Sequence, residues 1–186
     1  MGETIHVLAF AGSLRSRSHN RGLIRTAAEL APPYVEIETF DLTPIPLYNA
    51  DLTPTPEAVV EFRQKIKAAD ALLIATPEYN YSVSGVLKNA IDWASRAISR
   101  DEPAALQGKP AAILGAGGRF GTVRAQAHLR YILLHNDVKV VNKPEVMVVR
   151  SWEHFDQEGN LTDETTRQQV AELVEALYQW VIQLRK

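Results

Sequence analysis

The stretch ALLIATPEYNYSVSG, residues 71–85, changes character twice. It opens as a continuous apolar run closed by Pro77, a length that fits a buried strand and falls short of a buried helix. Beyond Gly85, the residues Val86, Leu87, Ala90, Ile91, Ala94 and Ile98 recur at helical spacing. The joint between strand and helix carries Glu78, Tyr79, Asn80, Tyr81, Ser82 and Ser84. Proline, asparagine, serine and glycine alone satisfy the chemistry of a turn. The two tyrosines and the glutamate are surplus to it. They point to a planar aromatic ligand whose edges need hydrogen bonds.

The same strand–loop–helix unit recurs on both sides of this stretch. TIHVLAFAG (4–12) is a short apolar run, and a helix over 18–30 follows it, with Leu23, Ile24, Ala27, Ala28 and Leu30 on its apolar face. Pro32 and Pro33 stop that helix. YVEIETFDL (34–42) alternates Val35, Ile37 and Thr39 against Glu36 and Glu38, a half-buried strand. TPIPLYNADLTPTP (43–56) holds four prolines and reads as an irregular surface loop. A helix over 56–69 leads into the opening stretch. Further on, KPAAILGAGG (109–118) is a strand entering a glycine-rich loop, followed by a helix over 122–135. VKVVNKPEVMVV (138–149) supplies the last strand, in two pieces broken at Pro144. The final helix sets Val170, Leu173, Val174, Leu177, Val181 and Leu184 on one stripe.

Strands that alternate with helices imply right-handed crossovers and a parallel sheet covered on both faces. Five such units in 186 residues make a single α/β domain spanning 1–186. They fit a three-layer, doubly wound, flavodoxin-like fold with a five-stranded sheet in the order 2-1-3-4-5. In such sheets ligands bind beyond the carboxyl ends of the strands, near the switch point. The loops after the first, third and fourth strands therefore converge on one edge, and these are the three unusual loops of the sequence.

Composition narrows what such a site does. The formal net charge is −2, so there is no basic footprint for nucleic acid. With no cysteines, disulfides, thiolate catalysis, iron–sulfur clusters and cysteine-ligated zinc are excluded. No apolar segment approaches the roughly 18 residues of a membrane span, and the N-terminus has no signal-peptide pattern. A cytoplasmic protein without membrane insertion is expected. His6, His19, His128, His135 and His154 are scattered with no metal-ligand spacing, so no metal site is assigned. A Gly-x-Ser-x-Gly nucleophile elbow is absent.

The loop Gly12-Ser13-Leu14-Arg15-Ser16-Arg17-Ser18-His19-Asn20 offers hydroxyls, an amide, arginines and the free N–H groups of a helix start. That is the equipment of a phosphate site. The plainer reading is a helix capped by Ser18 with two solvated arginines. It is neither a Walker A loop nor a dinucleotide fingerprint, and a monophosphate held without a metal fits it better. In the opening stretch, Tyr79 and Tyr81 present aromatic faces while Asn80 and Ser82 can address ring edges. The alternative there is a turn with Ser82 or Ser84 as helix cap and half-buried tyrosines. Glu78 is open between a ligand contact, an arginine pair and solvent. In Gly115-Ala116-Gly117-Gly118-Arg119-Phe120-Gly121, glycine lets the backbone approach a ligand edge, or simply supplies a flexible turn.

GSLRSRSHN followed by PEYNYSVSGVLKNAIDW closely resembles the NADPH-dependent FMN reductase family, which includes soluble quinone, azo-dye and chromate reductases. The likeness runs from the first strand to about NKPE. It implies tightly bound FMN with NADPH or NADH as electron donor. It also implies that Ser13, Arg15, Ser18 and Asn20 hold the FMN phosphate, with His19 in the same loop. Pro77, Glu78, Tyr79 and Asn80 would line the isoalloxazine, Tyr81 and Ser82 would support that loop, and Ala116, Gly117 and Gly118 would approach the ring edge. Two departures stand out. Ser84 replaces a frequent proline, which should loosen the start of its helix, and Ala116 replaces a frequent serine, which removes a side-chain bond to the flavin. No catalytic acid or base is implied, because the cofactor carries the chemistry.

The resemblance further implies a ping-pong reaction. One exposed flavin face would serve NAD(P)H and then a small acceptor: a quinone, an azo compound, a metal oxyanion or free flavin. A homodimer or homotetramer is implied, with Arg124, Tyr131 and Glu145 as contact candidates. Arg17 and Arg119 are candidates for the 2′-phosphate of NADPH. The alternatives are a flavodoxin-like electron carrier that binds FMN without reductase activity, and an FMN-free regulatory protein using the same loops.

Overall fold

In the computed structural model, which describes residues 3–97 and 103–186, six strands and five α-helices alternate along the chain. The strands are β1 (Ile5–Ala11), β2 (Val35–Thr39), β3 (Ala71–Ala75), β4 (Pro110–Ala116), β5 (Lys139–Val140) and β6 (Val146–Val148). The helices are α1 (His19–Glu29), α2 (Glu57–Ala68), α3 (Gly85–Ala94), α4 (Val123–His135) and α5 (Glu164–Leu184). A 3-10 turn, Ser151–Glu153, follows β6. The sheet is parallel, in the order β2-β1-β3-β4-β5, and β6 also pairs with β4. The doubly wound expectation holds, with the fifth strand in two pieces on either side of Pro144. Among the described residues no helix is long and apolar enough to cross a membrane.

The pleat sorts the apolar runs into two cores. Val7, Ala9, Leu73, Ala75, Ala112 and Leu114 point to the face covered by α1 and α5, where Leu23, Val170, Leu173 and Leu177 pack. Their neighbours Leu8, Phe10, Leu72, Ile74 and Ile113 point to the opposite face, against Phe62, Ile66, Leu87 and Leu129 from α2, α3 and α4. This is why β1 and β3 read as continuous apolar runs, whereas β2, at the sheet edge, alternates.

Helix boundaries follow their caps. Ser18, Ser84 and Asp163 accept hydrogen bonds from the first turns of α1, α3 and α5. The expected extension of α3 is not present through Ser95, whose backbone N–H already closes the helix end. Ile98 lies outside the described residues. Ser84 also corrects the expectation of a loosened helix start. Its hydroxyl is buried, donates to the Gly12 carbonyl at 2.7 Å and accepts from Leu87 N at 3.2 Å. A serine thereby ties α3 to the first loop, a bond that proline has no hydroxyl to make.

Register aligns the strand ends. Ala11 is level with Ala75, and Ala75 with Leu114. Gly12 N donates to Ala75 O at 2.9 Å and Thr76 N to Leu114 O at 2.9 Å, so the ladder continues one residue into each loop.

The α1 helix is held against the segment after the 3-10 turn at Gly22, where an added Cβ would lie 2.1 Å from the Gly159 carbonyl oxygen. Alanine would gain about 1 kcal/mol of helix propensity. Overpacking against backbone, which cannot swing away, costs about 1–3 kcal/mol plus the local rearrangement. Gly22→Ala is therefore expected to lower stability, read as a reduced urea midpoint. An unchanged or raised midpoint would show that the 159 segment gives way freely.

Candidate active site

Four chain segments meet at the carboxyl edge of the sheet and enclose a cleft of about 400 Å³. The first loop contributes Ser13, Arg15, Ser18, His19 and Asn20. Ser13 and Ser18 are buried, and Ser18 accepts from Arg21 N at 3.4 Å as the α1 cap. Arg21 braces the loop from behind, donating to Ser13 O at 3.1 Å while paired with Asp41 at 2.7 Å. Arg15 lines the cleft and is exposed, with no carboxylate partner among the described residues. Arg17 differs, being paired with Glu158 at 3.2 Å. The helix start, two hydroxyls and a free guanidinium together favour an anion here.

Asn20 is pinned more firmly than its neighbours. Its Nδ2 donates to Ala116 O at 2.9 Å, and its Oδ1 accepts from Ala116 N at 3.0 Å. Only one amide hydrogen is left for a ligand. His19 shares a 2.9 Å hydrogen bond with Ser151 Oγ and stacks on Phe155 at 4.4 Å, 11° from parallel. Burial, and then the Arg15 charge, push its pKa below the ordinary imidazole value, favouring the neutral ring.

The second loop contributes Pro77, Glu78 and Tyr79. Glu78 is only 9% exposed, and both its carboxylate oxygens are occupied. Oε2 accepts from Arg124 N at 2.9 Å and from Ala125 N at 3.2 Å, and Oε1 from the Arg124 guanidinium at 3.0 Å. Thr122, the residue at the cap position of α4, makes no side-chain cap bond. Glu78 supplies that cap from another loop, and its charge suits a helix N-terminus. The Tyr79 hydroxyl lies 3.5 Å from Ser13 Oγ, so it closes toward the first loop.

Asn80, Tyr81 and Ser82 do not reach the cleft wall. Tyr79 and Ser82 exchange both backbone hydrogen bonds, at 3.0 and 3.1 Å, and Asn80 and Tyr81 take φ of 52° and 64° at the tip. That is a type I′ turn, and it aims Asn80 and Tyr81 away from the cleft. Asparagine tolerates positive φ, whereas a tyrosine there costs about 1–2 kcal/mol. Tyr81 is held by Arg124, whose guanidinium lies 4.0 Å from its ring centroid and 4.7 Å from that of Phe120. Ser82 Oγ shares a 3.0 Å bond with His128. Tyr81 and Ser82 are thus tied to α4, through Arg124 and His128.

The third loop brings Ala116, Gly117 and Gly118. A Cβ on Gly117 would sit 2.2 Å from Gly121 O, so this glycine serves the turn itself. A Cβ on Gly118 would meet no protein atom within 4 Å, which leaves open space beside the cleft at that position. The fourth wall, Ser151 and Trp152, carried no motif in the sequence. It arrives because β6 pairs with β4, and Ser151 N then donates to Gly117 O at 2.9 Å. A larger concavity, about 670 Å³, lies against edge strand β2 between His6, Glu36 and Lys65. Its polar groups pair with one another, as Lys65 does with Glu38 and His6 with Glu36, and none of the three unusual loops reaches it.

Residues 5–153 match the family model described as NADPH-dependent FMN reductase. The chain belongs to that family. A NAD(P)H-dependent FMN reductase of Pseudomonas aeruginosa is 52% identical, with 100% of each chain covered. An NADPH:quinone oxidoreductase of Arabidopsis thaliana is 43% identical over 97% of this chain and 94% of its own. Among solved structures, the flavoenzyme NAD(P)H:(acceptor) oxidoreductase FerB of Paracoccus denitrificans superposes with a TM-score of 0.84 at 34% identity, covering 97% of this chain and 98% of its own. In this FMN reductase relative the motif residues therefore sit on a flavodoxin-like frame, and Glu78 acts as a structural cap.

The capping role sets a measurable cost. Glu78→Ala strands two backbone donors and a guanidinium, and is expected to lower stability by about 1–3 kcal/mol in denaturant unfolding. Glu78→Gln keeps an acceptor oxygen and should lose less. Equal stability of all three proteins would remove Glu78 from this role.

Proposed function

We propose that this protein holds FMN in the cleft and uses it to pass reducing equivalents from NADPH or NADH to a small acceptor. The acceptor class is a quinone, an azo compound, a metal oxyanion or free flavin. The observation that carries this reading is the mixed lining of the cleft. Arg15, Ser13, Ser18 and the start of α1 offer charge and hydroxyls, while Pro77, Tyr79 and Gly118 line the same space. A flavin monophosphate needs both kinds of partner, for an anion and for a planar ring, and the volume lies within the usual range for small-ligand sites. Residues 1–186 act in this as one FMN-binding domain.

Bound FMN supplies the hydride-accepting and hydride-donating chemistry. The protein's part is to bind and orient. Arg15 would neutralise phosphate charge, and the Ser13 and Ser18 hydroxyls would donate to the phosphate oxygens. Asn20 fixes the distance between the first and third loops through Ala116. Glu78 has no free oxygen with which to act as a base, so no side chain is assigned a proton-transfer role. Arg119 and Arg17 are the two arginines considered for a 2′-phosphate, and Arg17 would exchange an exposed pair with Glu158 for that contact. The family's reductases favour this reading over an electron carrier.

The two half-reactions share one open site in turn, which makes the kinetics ping-pong. Anaerobic NADPH is expected to bleach the bound flavin without acceptor, and NADPH–quinone kinetics to give parallel double-reciprocal lines. Intersecting lines, with no bleaching until quinone is added, would exclude this order of events. Arg15→Ala is expected to weaken FMN binding by roughly 10- to 150-fold, one charge-assisted bond, with the FMN-free fold intact.

Assembly follows a separate observation. The outer face of α4 leaves Tyr131 77% and Leu134 71% exposed, with Val123 exposed about two and three turns before them. Arg124 and Glu145 are already paired within the chain, to Glu78 and to Lys143 at 2.7 Å, so Tyr131 is the contact residue retained. A dimer or tetramer that covers this face is expected in sedimentation at micromolar concentration, and Tyr131→Glu should shift it toward monomer. A monomeric wild-type protein would overturn the assembly.

A further inference from the structure

Trp152 is used by none of the roles assigned so far. The chain has three tryptophans. Trp93 and Trp180 donate their indole N–H to Pro46 O and Lys139 O, both at 2.8 Å. Trp152 makes no such bond among the described residues and is 61% exposed. It nevertheless lines the same cleft as Arg15, His19 and Tyr79.

Its backbone, by contrast, is fixed on every side. Arg150 N donates to Gly118 O at 2.8 Å and Ser151 N to Gly117 O at 2.9 Å, which joins the segment to the third loop. The His19–Ser151 bond joins it to the first loop. Behind it, Phe155 stacks on His19, and Arg150 pairs with Glu153 at 3.4 Å. Arg150 takes φ of 43°, a left-handed conformation that a non-glycine residue adopts at a cost. That backbone turn begins the 3-10 turn on which Trp152 stands. A rigid aromatic with few rotamers to lose, a large apolar face and a free N–H is well suited to cover an amphipathic ligand.

We propose that Trp152 is a cofactor-binding residue whose indole packs on the bound flavin nucleotide from the wall that follows β6. The inference rests on the FMN reading above, and the flavin and its ribityl chain, not the phosphate, are the parts contacted. An apolar contact of this kind acts on riboflavin as well as on FMN, whereas Arg15 acts on FMN alone.

The test titrates the FMN-free protein with FMN and with riboflavin. Trp152→Ala is expected to weaken both by a similar factor, roughly 5- to 150-fold, the range of aromatic stacking on a heterocycle. Trp152→Phe should recover most of the loss. Arg15→Ala should weaken FMN only. In the wild-type protein, N-bromosuccinimide should oxidise Trp152 without ligand and much less with FMN or riboflavin bound, as located by mass spectrometry. Unchanged affinity in Trp152→Ala, a loss confined to FMN, or equal oxidation with and without ligand would each overturn the proposal while leaving the FMN reading standing. A wild-type protein that binds neither ligand would remove both.

Discussion

The side-chain amide of Asn20 and the backbone of Ala116 form a closed pair of hydrogen bonds between the first turn of α1 and the end of β4. Both groups are buried, so neither is easily satisfied by water, and an unpaired backbone group there costs about 1–3 kcal/mol. The pair fixes the spacing between the loop after β1 and the glycine loop. It does so across β3, which lies between β1 and β4 in the sheet. Every wall of the cleft is referred to this distance. The Gly117 backbone that follows accepts Ser151 N, and Ser151 in turn holds His19, the residue before Asn20. The ring of contacts therefore closes on itself.

Glu78 does the corresponding work on the other side. A carboxylate buried to this extent is stable only when its oxygens are filled, and two backbone N–H groups and a guanidinium fill them. The same guanidinium lies over Tyr81 and Phe120, so one arginine joins the tip of the second loop to the third. This offsets the cost of a tyrosine at positive φ. A loop that carries the cleft-lining Tyr79 is thus braced by Arg124, which does not itself line the cleft.

Close backbone approach is the remaining device. Gly12 faces Ser84 and Leu87 across the first and second loops, and an added Cβ would lie 2.7 and 2.9 Å from them. A Cβ added at Gly115 would lie 2.4 Å from Thr76 O and 2.3 Å from Thr122 Oγ1. These are contacts between neighbouring strand ends and helix starts, where any side chain would push the loops apart. A Cβ on Gly118, which lines the cleft, would alone in this group meet no protein atom within 4 Å.

By itself the sequence determined the alternation of strands and helices, because apolar runs, helical stripes and proline stops are local properties. From that alternation came the parallel sheet, its strand order and the meeting of three loops. The motif residues Ser13, Arg15, Ser18 and Tyr79 were legible for the same reason: their chemistry exceeds what a turn requires. Tertiary structure alone decided what those residues were left free to do. Glu78 reads identically whether it meets a ligand or caps a helix, and Arg124, which settles the matter, is 46 residues away. Asn80 and Tyr81 turn outward because the loop closes as a type I′ hairpin, a backbone choice invisible in side-chain types. Ser151 and Trp152 carry no local signal at all; they join the site because β6 pairs with β4 and delivers the next residues to its rim.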